Sequence, residues 1–426
     1  MRVLLFNAPV ARLSIHAQVS PPLGLAYLAS FLREHGHEVE VVDLNLSASS
    51  LQRAEVVLKR FQPDLVGMSV HTETYNNAVR YALRIKEWAP GVPIVFGGAH
   101  PSILPADVLQ ESCVDFVIVG EGERPLLSLV SALESGADGF ASIPGLGYAV
   151  DGVPQINARG ATGDPDAYPY PAWDLLSFDF YENPFTVLTA RGGCPYRCPF
   201  CSASFIWSGR HRQRSAVSVV DELAYLMREY GATHVFFGDD IFTLSRRWVR
   251  EFLREMKRVA GQVTWACATR ADLVDQQMLS DMAHAGCTGI QFGIESGSQA
   301  ILDSVKGITK DAARRAVEWS VAAGIQPTVS FMVPLPDDTP ETLDETFDFV
   351  AELKSAGADP SISYTAPFPG TLFYEKAEEL GITVLSREWE EYDCKHAIIE
   401  TTHLSAAQVE EITEKRAQAL GIDKNV

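Results

Sequence analysis

Basic residues are scarce: 35 Lys and Arg stand against 55 Asp and Glu in 426 residues, a formal net charge of −20. Such a surface repels phosphate backbones and anionic headgroups, which argues against general nucleic-acid or membrane-surface binding. Long apolar runs are missing too, since stretches such as residues 23–32 fall well short of the ~20 residues a membrane span needs. The N-terminal MRVLLFN is too brief for the apolar core of a secretion signal and reads as a buried strand. These absences point to the cytoplasm. Cysteine is sparse, with seven residues, and thiols stay reduced in that compartment, so a cluster of them suggests a metal rather than disulfides. No short-period repeat or low-complexity tract interrupts the chain. Hydrophobic residues at 46% and charged residues at 21% describe a globular protein of two or three domains.

What is present is an alternation. Between residues 1 and 140, short apolar runs at 3–6, 38–42, 65–70, 94–96 and 116–119 are separated by helix-like stretches near 23–35, 51–61, 75–88 and 122–134. Buried strands alternating with helices predict a doubly wound, Rossmann-like domain with a parallel sheet. Ligands of such sheets sit at the carboxyl ends of the strands, which here carry Asn7, Thr72, Gly97, Gly98, Glu121 and Gly122. Residues 145–156 read as a hairpin turning at Asp151-Gly152. With the Pro- and aromatic-rich stretch that follows, they make an ordered connection over 141–184. A second β/α series fills 185–385, with strands expected at 185–190, 233–237, 263–268, 289–293, 326–332 and 361–364. Six such units make a partial barrel, and its chemistry belongs in the loops after the strands. A short acidic segment, 386–426, closes the chain with an amphipathic helix near 405–420.

Three of the seven cysteines are grouped as Cys194, Cys198 and Cys201, directly after the first strand of the second series. Thiolates in C-x₃-C-x₂-C spacing fold a short loop round one corner of a [4Fe-4S] cluster, each holding one iron and leaving the fourth open. Zinc would need a fourth Cys or His nearby. The nearest candidate, His211, lies in the basic stretch Arg210–Arg214.

The C-x₃-C-x-φ-C motif, with Phe200 as its aromatic, resembles the radical S-adenosylmethionine (SAM) superfamily over residues 185–385. The resemblance implies that SAM chelates the open iron. One electron from the cluster, supplied by a flavodoxin- or ferredoxin-like donor, then cleaves SAM to methionine and a 5′-deoxyadenosyl radical that abstracts hydrogen from a small-molecule substrate. It also implies SAM contacts. Besides Phe200, these come from Gly238, Asp239 and Asp240 after the second strand, where the family has a Gly-Gly-Glu-type element. Arg270 follows strand three, Glu295 and Ser296 follow strand four, and residues 332–339 border the adenine. Without a ligand, the two aspartates read as a helix N-cap and Arg270 as an ion-pair partner.

The N-terminal half carries a second resemblance. Residues 21–29, Gly97-Gly98-Ala99-His100-Pro101 and Gly120-Glu121-Gly122-Glu123 are similar to the cobalamin-binding domain fused to many radical SAM proteins. The resemblance implies cobalamin contacts from Thr72, Gly97, Gly98, Glu121 and Gly122. Glu121 and Glu123 read equally as first-turn helix acids. The D-x-H-x-x-G element that offers a histidine to cobalt is missing, and His71 and His100 read as hydrogen-bonded structural residues. Two outcomes follow. The first is cobalamin-dependent C-methylation, with both cofactors facing one pocket. The second is radical dehydration, deoxygenation or epimerisation of a polar or cationic substrate without cobalamin, for which Asp239, Asp240, His234, Tyr364 and Arg210–Arg214 are acid–base candidates.

Overall fold

The computed structural model describes residues 1–10, 20–46, 50–136, 139–181, 185–207 and 211–422. Arg210, the last three residues of the 141–184 connection and residues 423–426 therefore lie outside the described residues. The chain forms two compact units: Met1–Pro184 with Phe205–Trp207, and Phe185–Ser204 with Ser208–Val426.

The first unit is built on a seven-stranded sheet. Its strands are β1 (Arg2–Asn7), β2 (Glu38–Asp43), β3 (Leu65–Ser69), β4 (Ile94–Gly97), β5 (Phe116–Ile118), β6 (Leu146–Val150) and β7 (Val153–Ile156), in the order β2-β1-β3-β4-β5-β6-β7. The first five are parallel, and their near-continuous burial on both faces is what helices on each side require. Those helices include Leu23–Glu34, Ser50–Phe61, Tyr75–Trp88 and Glu123–Ser135. In this order the chain reverses direction across the sheet between β1 and β3, which opens a crevice at their carboxyl ends. The 145–156 hairpin turns at Asp151 (φ 51°) and Gly152 (φ 78°), and β6 joins β5 antiparallel as an extension of the sheet. The Pro-rich stretch packs on the same unit: Trp173 is fully buried, and the Ala172 N–H donates to Ala26 O at 2.9 Å. Two short helices, Ala99–Ile103 and Pro105–Val108, stand where the sequence reading placed no element.

In the second unit, six parallel strands run in the order β15-β14-β13-β12-β11-β8. They are β8 (Thr186–Val187), β11 (His234–Phe237), β12 (Thr264–Thr269), β13 (Cys287–Glu295), β14 (Gln326–Val333) and β15 (Asp359–Tyr364). The expected strand at 185–190 is broken. Only β8 joins the sheet, while β9 (Ala190–Arg191) pairs antiparallel with β10 (Arg212–Gln213) in a ribbon that closes the cysteine loop. The intervening helices are Ala216–Tyr230, Arg246–Glu255, Gln276–His284, Gln299–Val305, Lys310–Ala323 and Pro340–Ser355. A small ribbon, β16 (Thr383–Val384) with β17 (Ile399–Glu400), precedes the C-terminal helix Ala406–Leu420, which starts at a Ser405/Gln408 capping box. Among the described residues no helix is long and apolar enough to cross a membrane.

Candidate active site

The cysteine loop leaves β9 and is tied down at several points. Both carboxylate oxygens of Asp239 accept from the Thr189 N–H (3.1 and 3.0 Å), and one also accepts from the Ala190 N–H at 2.8 Å. Asp239 is thus a clamp between the ends of β8 and β11, and its burial pushes its pKa up to about 6 against those three hydrogen bonds. Asp240 accepts the backbone N–H of Cys194. The helix N-cap considered for these two residues is instead Ser245, whose hydroxyl accepts from the Trp248 N–H. Gly238 stands where a Cβ would come within 2.8 Å of Thr186 Cγ2. Farther along, the Cys201 N–H donates to Cys198 O and the Phe373 N–H to Pro199 O, each at 3.1 Å. The Phe200 ring packs against Phe373 and the cluster of Ile301, Val305 and Leu335.

All three thiols are free and partly buried. Burial raises each of them, Cys201 to about 11, while the Lys306 and Arg270 charges oppose the rise at Cys198. Among the described residues no three of His, Cys, Asp and Glu converge on a point that would hold one metal ion. His211, the nearest fourth ligand for zinc, lies instead beside Gln213 Oε1 at 3.4 Å. The donor set fits a cluster: three soft thiolates in one loop, with cations beside the middle one.

Next to the loop lie two cations and a carboxylate. Arg270 is 5% exposed and forms a bidentate pair with Asp272, both contacts 2.9 Å. Its guanidinium carbon stands 3.9 Å from the centroid of the Tyr196 ring, inside the cysteine loop, and Nη2 donates to Lys306 O at 3.2 Å. Nη1 is buried and donates to nothing among the described residues. Glu295 ends β13 after a register shift beginning at Gly293, with φ at +81°, and accepts from Lys306 Nζ at 2.6 Å. A β-bulge and a strained backbone together turn that carboxylate. Ser296 Oγ lies 3.2 Å from Thr346 Oγ1, which also accepts the Gly297 N–H. An orphaned guanidinium N–H beside a buried carboxylate suits a zwitterion such as the methionyl end of SAM. The loop after β14 is held by Asp338, which accepts from the Leu335 N–H (2.7 Å) and the Thr342 hydroxyl (2.8 Å).

Lys306 and Tyr196 are not among the candidates read from sequence, and Asp338 enters there only as part of the 332–339 loop. Tyr196 lies within the cysteine motif, and Asp338 precedes a T-x-x-T cap, so signals existed for both. Lys306 had none. Other candidates lie elsewhere. His234 begins β11, at the strand end away from the loops, with Nδ1 2.9 Å from Thr264 Oγ1. Tyr364 packs with Leu404 and Val409 toward the C-terminal helix. Arg214 is committed to a buried pair with Glu222 and to Leu188 O.

In the first unit, Thr72 follows β3 and its hydroxyl lies 3.3 Å from His100 Nδ1. The His100 ring lies tilted against Tyr75, centroids 4.4 Å apart, and burial lowers its pKa to about 4. His71 is exposed. Gly98, at φ 102°, lets the backbone pass Val70, whose carbonyl oxygen a Cβ would meet at 2.8 Å. Ser102 links this loop to the next, its hydroxyl donating to Gly98 O and accepting the Gly120 N–H. A Cβ on Gly97 would meet nothing nearer than 4.0 Å, so the end of β4 presents open backbone, which fits a flat corrin. Glu121 and Gly122 lead into helix Glu123–Ser135 at the end of β5.

The B12-binding domain model matches residues 15–130, and the radical SAM superfamily model matches residues 190–350. An uncharacterized methyltransferase of Pyrococcus horikoshii is 32% identical over 97% of this chain and 91% of its own length. The anaerobic magnesium-protoporphyrin IX monomethyl ester cyclase of Rubrivivax gelatinosus is 30% identical over 88% of this chain and 68% of its own. Among solved structures, the radical SAM methyltransferase TsrM of Kitasatospora setae, with cobalamin and a [4Fe-4S] cluster bound, shares the fold. Its TM-score is 0.78 at 22% identity, over 99% of this chain and 91% of that one.

Proposed function

The chain belongs to the radical SAM superfamily, in the branch with an N-terminal B12-binding domain, and from that premise we propose that it methylates an unactivated carbon of a small molecule. The observation that carries the reading is the end-to-end match to a relative named as a methyltransferase, covering 91% of that protein. When bound, the cluster and SAM supply a 5′-deoxyadenosyl radical, and cobalamin supplies a methyl carrier. In this reading Cys194, Cys198 and Cys201 hold the cluster, Arg270 takes the SAM carboxylate on its free Nη1–H, and Glu295 takes a polar group of SAM. Ser296, Phe200, Gly238, Asp239 and Asp240 shape the rest of the site, the two aspartates by pinning the loop ends. Thr72, Gly97, Gly98, Glu121 and Gly122 form the cobalamin end of the first unit. The protein's own task is to orient these groups and keep water from the radical. An external one-electron donor and the cytoplasm, where free thiols stay reduced, complete the picture.

A second reading rests on the cyclase relative, which is not named as a methyltransferase. The test is anaerobic reconstitution with iron, sulfide and hydroxocobalamin, then desalting and an absorption spectrum, followed by dithionite, SAM and a panel of small substrates. Retained corrinoid, with S-adenosylhomocysteine and 5′-deoxyadenosine formed together, is expected. 5′-Deoxyadenosine alone, with no retained corrinoid, would transfer the assignment to dehydration, deoxygenation or rearrangement.

A further inference from the structure

Tyr196 stands midway between Cys194 and Cys198, two positions from each, so a loop that wraps these thiolates round one cluster carries the ring with it. Phe200, four positions on, packs against Phe373 and its apolar neighbours. Tyr196 meets a charge instead. The Arg270 guanidinium carbon lies 3.9 Å from its ring centroid, well inside the range of about 6 Å over which a cation is drawn to a ring face. Arg270 is 5% exposed, and a cation stripped of water is held more strongly by a ring than one in solvent. Among the described residues the Tyr196 hydroxyl makes no hydrogen bond, so the ring face carries the contact.

The other restraints on Arg270 lie in the plane of its guanidinium. Nε and Nη2 each donate to Asp272 at 2.9 Å, and Nη2 also donates to Lys306 O at 3.2 Å. Hydrogen bonds along one edge of a planar fork stop it sliding, but they resist a tilt about that edge only weakly. A ring against the face supplies the missing restraint. The group left over is Nη1, buried and donating to nothing among the described residues. Its direction is set by the tilt of the plane, and hence by the ring.

We propose that Tyr196 is a positioning residue for SAM, its ring holding the Arg270 plane so that Nη1–H is presented to the carboxylate of the ligand. The inference rests on the reading of Arg270 as the carboxylate contact. It makes recognition of that carboxylate depend on a side chain of the cysteine loop itself. A charge-assisted bond to a carboxylate is directional, so a tilted guanidinium loses affinity for ligands that carry the carboxylate and not for those that lack it.

The test measures equilibrium dialysis of SAM and of decarboxylated SAM against the anaerobically reconstituted enzyme, with iron content determined for every sample. Tyr196→Leu should keep the iron content of wild type, bind SAM about fivefold or more weakly, and bind the decarboxylated analogue within about twofold of wild type. Tyr196→Phe, which keeps the ring, should match wild type within about twofold for both ligands. In an Arg270→Gln background, Tyr196→Leu should cost less than about twofold more, since the two residues act through one contact. Wild-type SAM affinity in Tyr196→Leu would overturn the proposal, as would a full additional loss in the double variant. An equal loss for both ligands, or a loss of iron, would overturn it too, because the ring would then support the loop alone. Wild-type SAM affinity in Arg270→Gln would instead sink the reading of Arg270 from which the inference starts.

Discussion

Lys306 Nζ lies 2.6 Å from Glu295 Oε1, and a Cβ placed on Gly293 would fall 2.6 Å from both atoms. The two side chains are each 9% exposed, so this is a buried ion pair over a glycine that leaves it room. Lys306 also presents its carbonyl to Arg270, which binds the ends of β12 and β13 and the end of helix Gln299–Val305 into one unit beside Cys198.

Lys306→Met should leave Glu295 buried without its partner and cost about 3–5 kcal/mol, the usual effect of removing one half of such a pair. Chemical denaturation measures the loss. Equilibrium dialysis of SAM against the reconstituted variant should show weakened binding even where folding is rescued at low temperature, and unchanged affinity would show that the pair serves the fold alone.

Each of Cys194→Ala, Cys198→Ala and Cys201→Ala should remove the iron–sulfur absorbance and abolish 5′-deoxyadenosine formation. Iron analysis and mass detection of nucleoside products check both. Full SAM cleavage by Cys198→Ala would rule out the cluster assignment.

Two buried groups give the two units opposite responses to acid. His100 in the first unit has its pKa lowered from 6.5 to about 4 by burial, so its stabilising share is complete above pH 6.5 and is lost as pH falls toward 4. Asp338 in the second has its pKa raised from 3.8 to about 6, so its share is complete below pH 3.8 and is lost as pH rises toward 6. Each shift corresponds to about 3 kcal/mol. Between pH 4 and 6.5, the stability difference between wild type and His100→Gln should therefore slope one way, and that for Asp338→Asn the other. Parallel slopes would contradict the burial argument.

Gly297→Ala should be among the most damaging single methyl additions. Its Cβ would fall 2.5 Å from Thr346 Cα and 2.6 Å from Glu345 O, both backbone atoms of helix Pro340–Ser355 that cannot yield locally. A loss of about 3 kcal/mol is expected, read as a fall in Tm. Gly24→Ala, with nothing within 4 Å of the new methyl, is the control and should leave Tm unchanged or higher.

Much of the architecture was legible in the linear chain. Runs of apolar residues between amphipathic stretches place the strands of both sheets, because strand and helix periods are local properties of the backbone. The exception was the first strand of the second unit. Its residues are as β-prone as their neighbours, yet Asp239 draws the Thr189 and Ala190 amides away from the sheet and the chain turns into the β9–β10 ribbon.

The spacing of Cys194, Cys198 and Cys201 by itself determined a three-thiolate loop, since loop length sets which sulfur atoms can share one cluster. The excess of carboxylates likewise decided that this surface would not seek phosphates. Only the tertiary structure decided which neighbouring carboxylate became a clamp, which arginine kept a free donor, and that Lys306, eleven positions along the chain, neutralises Glu295. Those outcomes depend on strand register, on one bulge at Gly293–Glu295 and on helix packing across strand ends. They join residues far apart in sequence, and no local periodicity records where such partners meet.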